Sequence, residues 1–160
     1  VKKIFAMTTF IIVTSFSYNY FLKILETKRS ISNIQVLLFL TSVFEISTGI
    51  LLLTIPNWIV SILLGTNLNS PESFVIARIA GTALFTLALM CYFAIRDIQS
   101  CVTRGIVTAM LFYNIVASAI LLAARFYSGF DGIGILPASI IHIALAVWCI
   151  KSLSAMKRIQ

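Results

Sequence analysis

The chain has 160 residues, of which 60% are hydrophobic and only 11% charged, with a mean hydropathy of +1.05. Water-soluble domains carry roughly 25% charged residues, and a chain this small cannot hide so much apolar surface from water, which leaves an integral membrane protein. The net charge of +7 does not indicate nucleic acid, because the basic residues lie between apolar runs rather than in a stripe interleaved with aromatics.

At the N-terminus, IFAMTTFIIVTSFSYNYFL (4–22) is flanked by Lys2, Lys3 and Lys23 and interrupted by Thr, Ser, Tyr and Asn. That mixture suits an interfacial helix on the cytoplasmic side, within an N-terminal segment 1–33. A weak fifth span and a signal-like remnant are the alternatives.

Four apolar runs follow, at 34–56, 74–95, 105–126 and 133–154, and each reaches the about 20 residues that one bilayer crossing needs. The expected fold is therefore all-α, an integral membrane four-helix transmembrane bundle over 34–160 with the N-terminal interfacial helix beside it. NWIVSILLG (57–65) follows Pro56 and is amphipathic but too short to span. It is expected to lie in the interface, with Trp58 at its start; alternatively the first helix continues through Pro56 with a kink. In SPES, Ser70 is placed to cap the second span, with Pro71 and Glu72 in its first turn.

The basic residues also orient the chain. Of the 12 Lys and Arg, only Arg78 and Arg125 fall on the outer side, each at a helix end from which it can snorkel. The rest fall on the side of both termini, which the positive-inside rule assigns to the cytoplasm. A bacterial inner (plasma) membrane is the expected location, with the mitochondrial inner membrane as the alternative.

Depth then places polar side chains in one layer. Glu45 lies about 16 Å below the outer end of its helix, Asn114 about 16 Å and His142 about 12–13 Å. Thr82 and Thr86 of the second span stand at similar levels. An ionised carboxylate facing lipid costs about 2.5–3.5 kcal/mol, so Glu45 should face the bundle interior and lie closer to His142 or Asn114 than to Arg78. The layer has two physical readings. Its members serve as interhelical bonds, worth about 0.6 kcal/mol each on average, or they form a site for a small molecule or a proton.

Other chemistry is poorly supported. Cys91, Cys101 and Cys149 form no CxxC pair. His142 and Cys149 stand about 10.5 Å apart along one helix, too far to hold one metal ion. No catalytic triad order, HExxH or glycine-rich phosphate loop is present. Small residues mark where helices meet: Ala77, Ala80, Gly81, Ala83 and Ala88 on the second span, Ala117, Ala119, Ala123 and Ala124 on the third, and Ala138 and Ala146 on the fourth.

ARIAGTALFTLALMCYFAIRD (77–97), LFYNIVAS (111–118) and LPASIIHIALAVWCIKSL (136–153) together resemble an uncharacterised family of small bacterial integral membrane proteins with four transmembrane helices. The matching positions are Glu45 in the first span, Arg78 with Gly81, Tyr113 with Asn114, and His142 with Trp148; Ile141 stands where the pattern has Leu. The resemblance implies an all-helical membrane fold and no activity. It adds Tyr113 to the candidate ligand or proton site of Glu45, Thr82, Thr86, Asn114 and His142. A further analogy, four short helices with one acid midway along the first, is with small multidrug transporters, although this chain has longer polar loops.

The functional expectation is a non-catalytic accessory or assembly subunit of a larger membrane complex, whose polar layer holds a lipid-like ligand or cofactor. A small proton-coupled transporter using Glu45 is the alternative, and a membrane enzyme acting on a lipophilic substrate comes third. The expected partners are membrane lipids and other membrane subunits or a second copy. The cofactor options are a bound lipid, or a haem or pigment held through His142.

Overall fold

The computed structural model describes residues 33–159, which form five helices. They are α1 (Asn33–Thr54), α2 (Pro56–Leu64), α3 (Pro71–Ala94), α4 (Cys101–Phe126) and α5 (Ile135–Ile159). The expected interfacial helix at 4–22, and all of segment 1–33 except Asn33, lie outside the described residues. Helices α1, α3, α4 and α5 are each long and apolar enough to cross a membrane, so the chain is an all-helical membrane bundle. Large side chains on their outer faces, such as Ile76, Phe93, Phe112 and Ile140, are exposed, as suits surfaces meeting lipid.

The helix boundaries follow from local chemistry. Pro56 cannot donate to a preceding turn and disfavours helical geometry at the residue before it. Ile55 accordingly leaves the helical region, at φ −132° and ψ 56°, and Pro56 opens a new helix. The short segment is thus a separate helix, and the alternative of one kinked helix through Pro56 is corrected. Trp58 is exposed on α2. Gly65 ends α2 in the left-handed region, at φ 75°. Beyond it, Asn57 Oδ1 accepts from the Leu68 amide at 2.7 Å, tying the loop back to the start of α2.

Ser70 caps α3 as expected, with Pro71 and Glu72 in the first turn. The reciprocal partner in its capping box is Ser73, whose amide lies 3.2 Å from Ser70 Oγ. Ser100 caps α4 through the Thr103 amide, so that helix starts at Cys101, earlier than the apolar run suggested.

Each long helix buries one stripe. On α1 it runs Ile34, Leu38, Thr41, Glu45 and Gly49; on α3, Ala77, Gly81, Ala88 and Cys91; on α4, Thr103, Val107, Met110, Asn114 and Ser118; on α5, Ile135, Ser139, Ala146 and Cys149. The steps of three and four residues are the helical period. Small residues set the closest approach: a Cβ on Gly49 would stand 2.8 Å from the Gly81 carbonyl oxygen, and a Cβ on Gly81 equally close to that of Gly49. Here α1 and α3 touch backbone to backbone, the arrangement expected of small residues at membrane-helix crossings. Ala80, Ala83, Ala119 and Ala123, also expected at helix contacts, are exposed instead.

The two halves of the bundle differ. The apolar core gathers Ile34, Leu37 and Leu38 with Cys91, Ala94, Val107, Met110, Cys149 and Met156. These come from the start of α1, the end of α3, the start of α4 and the end of α5, so the core fills the half nearer the described chain ends. The other half, toward α2, is hollow.

Candidate functional site

That hollow half holds a half-open cavity of about 590 Å³, within the range of about 300–1,000 Å³ of small-molecule sites. All five helices contribute. Phe44, Thr48 and Leu52 come from α1, Ile59, Ile62 and Leu63 from α2, Ala80 and Leu84 from α3, Ala117, Ile120 and Leu121 from α4, and Ala138 and Ile141 from α5. Ile59, Ile62 and Leu63 follow the spacing of one helical face, so α2 turns its apolar side to the cavity. Phe44 and Ile120 are 49% and 62% exposed, so part of the wall is also outer surface of the bundle.

The polar groups are concentrated at the inner end, where Glu45, Tyr113 and His142 line the cavity. Glu45 is only 3% exposed, and its Oε2 accepts a hydrogen bond from the Tyr113 hydroxyl at 3.4 Å. The Tyr113 ring meets the His142 ring edge to face, with centroids 5.5 Å apart and planes at 83°. Asn114, fully buried behind His142, donates through Nδ2 to the Met110 carbonyl at 2.7 Å. Its Oδ1 lies 2.8 Å from His142 Nδ1. The Asn114 amide nitrogen is committed to a carbonyl, so Oδ1 is the acceptor and Nδ1 carries the proton. In the neutral ring, Nε2 is then an acceptor.

Two polar atoms remain open. Neither Glu45 Oε1 nor His142 Nε2 has a hydrogen-bond partner among the described residues, and neither is sealed from the cavity. Thr48 also lines the wall, but its hydroxyl is turned back to the Phe44 carbonyl at 3.0 Å. Among the described residues no Lys or Arg lines the cavity. Arg78 is exposed, and Arg125 donates to the Phe130 carbonyl at 3.0 Å.

The expected layer thus comes together at Glu45, Tyr113, Asn114 and His142, with two corrections. Glu45 bonds to Tyr113, whereas His142 bonds to Asn114, so the acid meets the layer through the phenol and not through a direct bond to His142 or Asn114. Thr82 and Thr86 do not join. Both are exposed, and their hydroxyls bond to the Arg78 and Thr82 carbonyls of their own helix. A threonine satisfied by the preceding turn needs no partner across the bundle.

Among the described residues no group of three or more His, Cys, Asp and Glu is arranged to hold a metal ion. For a cofactor, His142 offers Nε2 to the cavity while Asn114 steadies Nδ1, the arrangement usual for a histidine that ligates through one nitrogen. Searches against protein-family models, curated proteins and solved structures find no match for this chain. The described residues form a small helical membrane bundle with an apolar cavity that ends in polar groups at mid-span.

Proposed function

We propose that this chain is a non-catalytic membrane protein that holds a lipophilic, lipid-like ligand inside its bundle, as an accessory or assembly subunit of a larger membrane complex. One observation carries the reading: a cavity of about 590 Å³, walled by aliphatic side chains, places Glu45, Tyr113 and His142 together at its inner end. Interhelical bonding alone needs no such space. The exposed apolar faces of the bundle supply surface for a partner subunit as well as for lipid. In this proposal the membrane is the bacterial inner membrane, with the termini toward the cytoplasm and the cavity in the outer half.

Gentle extraction followed by native mass spectrometry tests this reading. The expected result is a protein that retains a lipophilic molecule and a partner chain. Ala117→Phe, which fills the cavity, should remove the small molecule and leave the partner. A protein bare of both would overturn the proposal, and a haem or pigment would appear by its mass.

The second reading, a proton-coupled transporter, is favoured by the carboxyl oxygen of Glu45 that opens into the cavity. Glu45→Gln should then abolish pH-driven flux in proteoliposomes. Unchanged flux would remove Glu45 from any such mechanism.

A further inference from the structure

Whether the open polar atoms donate or accept decides which lipophilic molecules the cavity can take. Tyr113 directs its hydroxyl to Glu45 Oε2 across a long 3.4 Å contact, and His142 spends the Nδ1 proton on Asn114. The Thr48 hydroxyl is likewise spent on its own helix. What is left facing the space is the other oxygen of Glu45, from α1, and Nε2 of His142, from α5. Nε2 of the neutral imidazole accepts, and so does Glu45 Oε1 while the carboxyl is ionised. A polar ligand atom that only accepts would find acceptors on either side and lose its own solvation without return.

Resting on the reading of this cavity as a ligand site, we infer that it selects lipophilic molecules whose polar end carries a hydroxyl, an alcohol or a phenol, over those whose polar end only accepts. Charge narrows the class further. Among the described residues no Lys or Arg lines the space, so a fatty carboxylate would meet Glu45 without a counter-charge from them. A neutral hydroxyl brings the required donor with the least desolvation on passing from an apolar phase. The aliphatic wall extends from the polar end along α1 as far as Leu52, about 10 Å of helix, and suits an alkyl tail.

The test uses a matched pair of probes, 4-octylphenol and its methyl ether 4-octylanisole, which differ in one donor. The purified full chain in detergent micelles is titrated with each at equal probe-to-detergent ratio, and occupancy is read by native mass spectrometry. The expected result is a preference for the phenol of about three- to tenfold, the size of one net hydrogen bond. Glu45→Gln, which replaces one acceptor oxygen by an amide group, should shrink that preference, and Ala117→Phe should abolish binding of both probes. The wild-type comparison decides the question even if the Glu45 variant fails to fold. Equal binding of both probes, or a preference for the ether, with both lost in Ala117→Phe, would overturn the donor selection and leave the cavity as a lipophilic site. Binding of neither, or binding that Ala117→Phe does not change, would overturn the ligand site itself and the inference with it.

Discussion

His142 Nδ1 stands 2.8 Å from Asn114 Oδ1, and Asn114 Nδ2 donates to the Met110 carbonyl at 2.7 Å. The main chain of α4 thereby fixes the amide, and the amide fixes the imidazole. The neutral ring should carry its proton on Nδ1. This is directly observable, because the chain has one histidine: the side-chain nitrogen shifts of labelled protein should report a protonated Nδ1 and a bare Nε2. Asn114→Leu should release the tautomer and lower stability by about 1–2 kcal/mol, between the mean worth of an interhelical bond in membranes and the cost of a stranded buried donor. A protonated Nε2 in the wild-type neutral ring would remove the structural basis for an acceptor at the cavity wall.

The crossing of α1 and α3 gives a second test. A methyl group on Gly49 would press on the Gly81 carbonyl and on the Phe85 backbone, at 2.8 and 2.9 Å. Backbone atoms cannot turn aside as a side chain can, so Gly49→Ala should destabilise by about 1–3 kcal/mol. Gly105, within α4, has nothing among the described residues within 4 Å of a Cβ. Gly105→Ala should therefore stabilise by about 0.5–1 kcal/mol through helix propensity. Thermal unfolding of the two variants in one detergent should move in opposite directions.

Ser70 holds the start of α3 through the Ser73 amide at 3.2 Å, while the Ser70 amide is met by Ser73 Oγ at 3.3 Å. Ser70→Ala should cost about 1 kcal/mol. Hydrogen exchange should rise in the first turn of α3 and stay unchanged in α5. Uniform acceleration across both helices would mean that the cap supports the whole bundle.

Height in the membrane was readable from the sequence, and direction around each helix only partly so. Apolar runs placed the four long helices within a few residues, because about 20 apolar residues have little else to do. The cost of a carboxylate in lipid turned Glu45 inward. For Asn114 and His142 the shared depth was enough, since neither can complete its hydrogen bonds within its own helix. Thr82 and Thr86 show where that reasoning stops. They stand at a suitable height but on the outer face they share with Arg78, and a hydroxyl can return to the preceding turn. The cavity left no mark in any one residue. It arises because Ala80, Ala117 and Ala138 face a common space that α2 covers with Ile59, Ile62 and Leu63. The spacing of those three on a short amphipathic helix was the one available signal, and it pointed equally well to an interface.

The cysteines test the proposed orientation independently of the cavity. Cys101 opens α4 and is exposed, while Cys91 and Cys149 are buried in the core. Thiol reagents act only where they can reach the sulfur, so a membrane-impermeant maleimide should label Cys101 alone in the folded protein. Cys101 lies at the end of the bundle that carries Arg96 and Arg104, the end assigned to the cytoplasm by the positive-inside rule. Labelling should therefore be complete in inside-out vesicles and negligible in right-side-out ones, with Cys101→Ser silent in both. Labelling in right-side-out vesicles would reverse the topology. The cavity would then belong to the cytoplasmic half, and a ligand could approach its α2 end only from that side or from the bilayer.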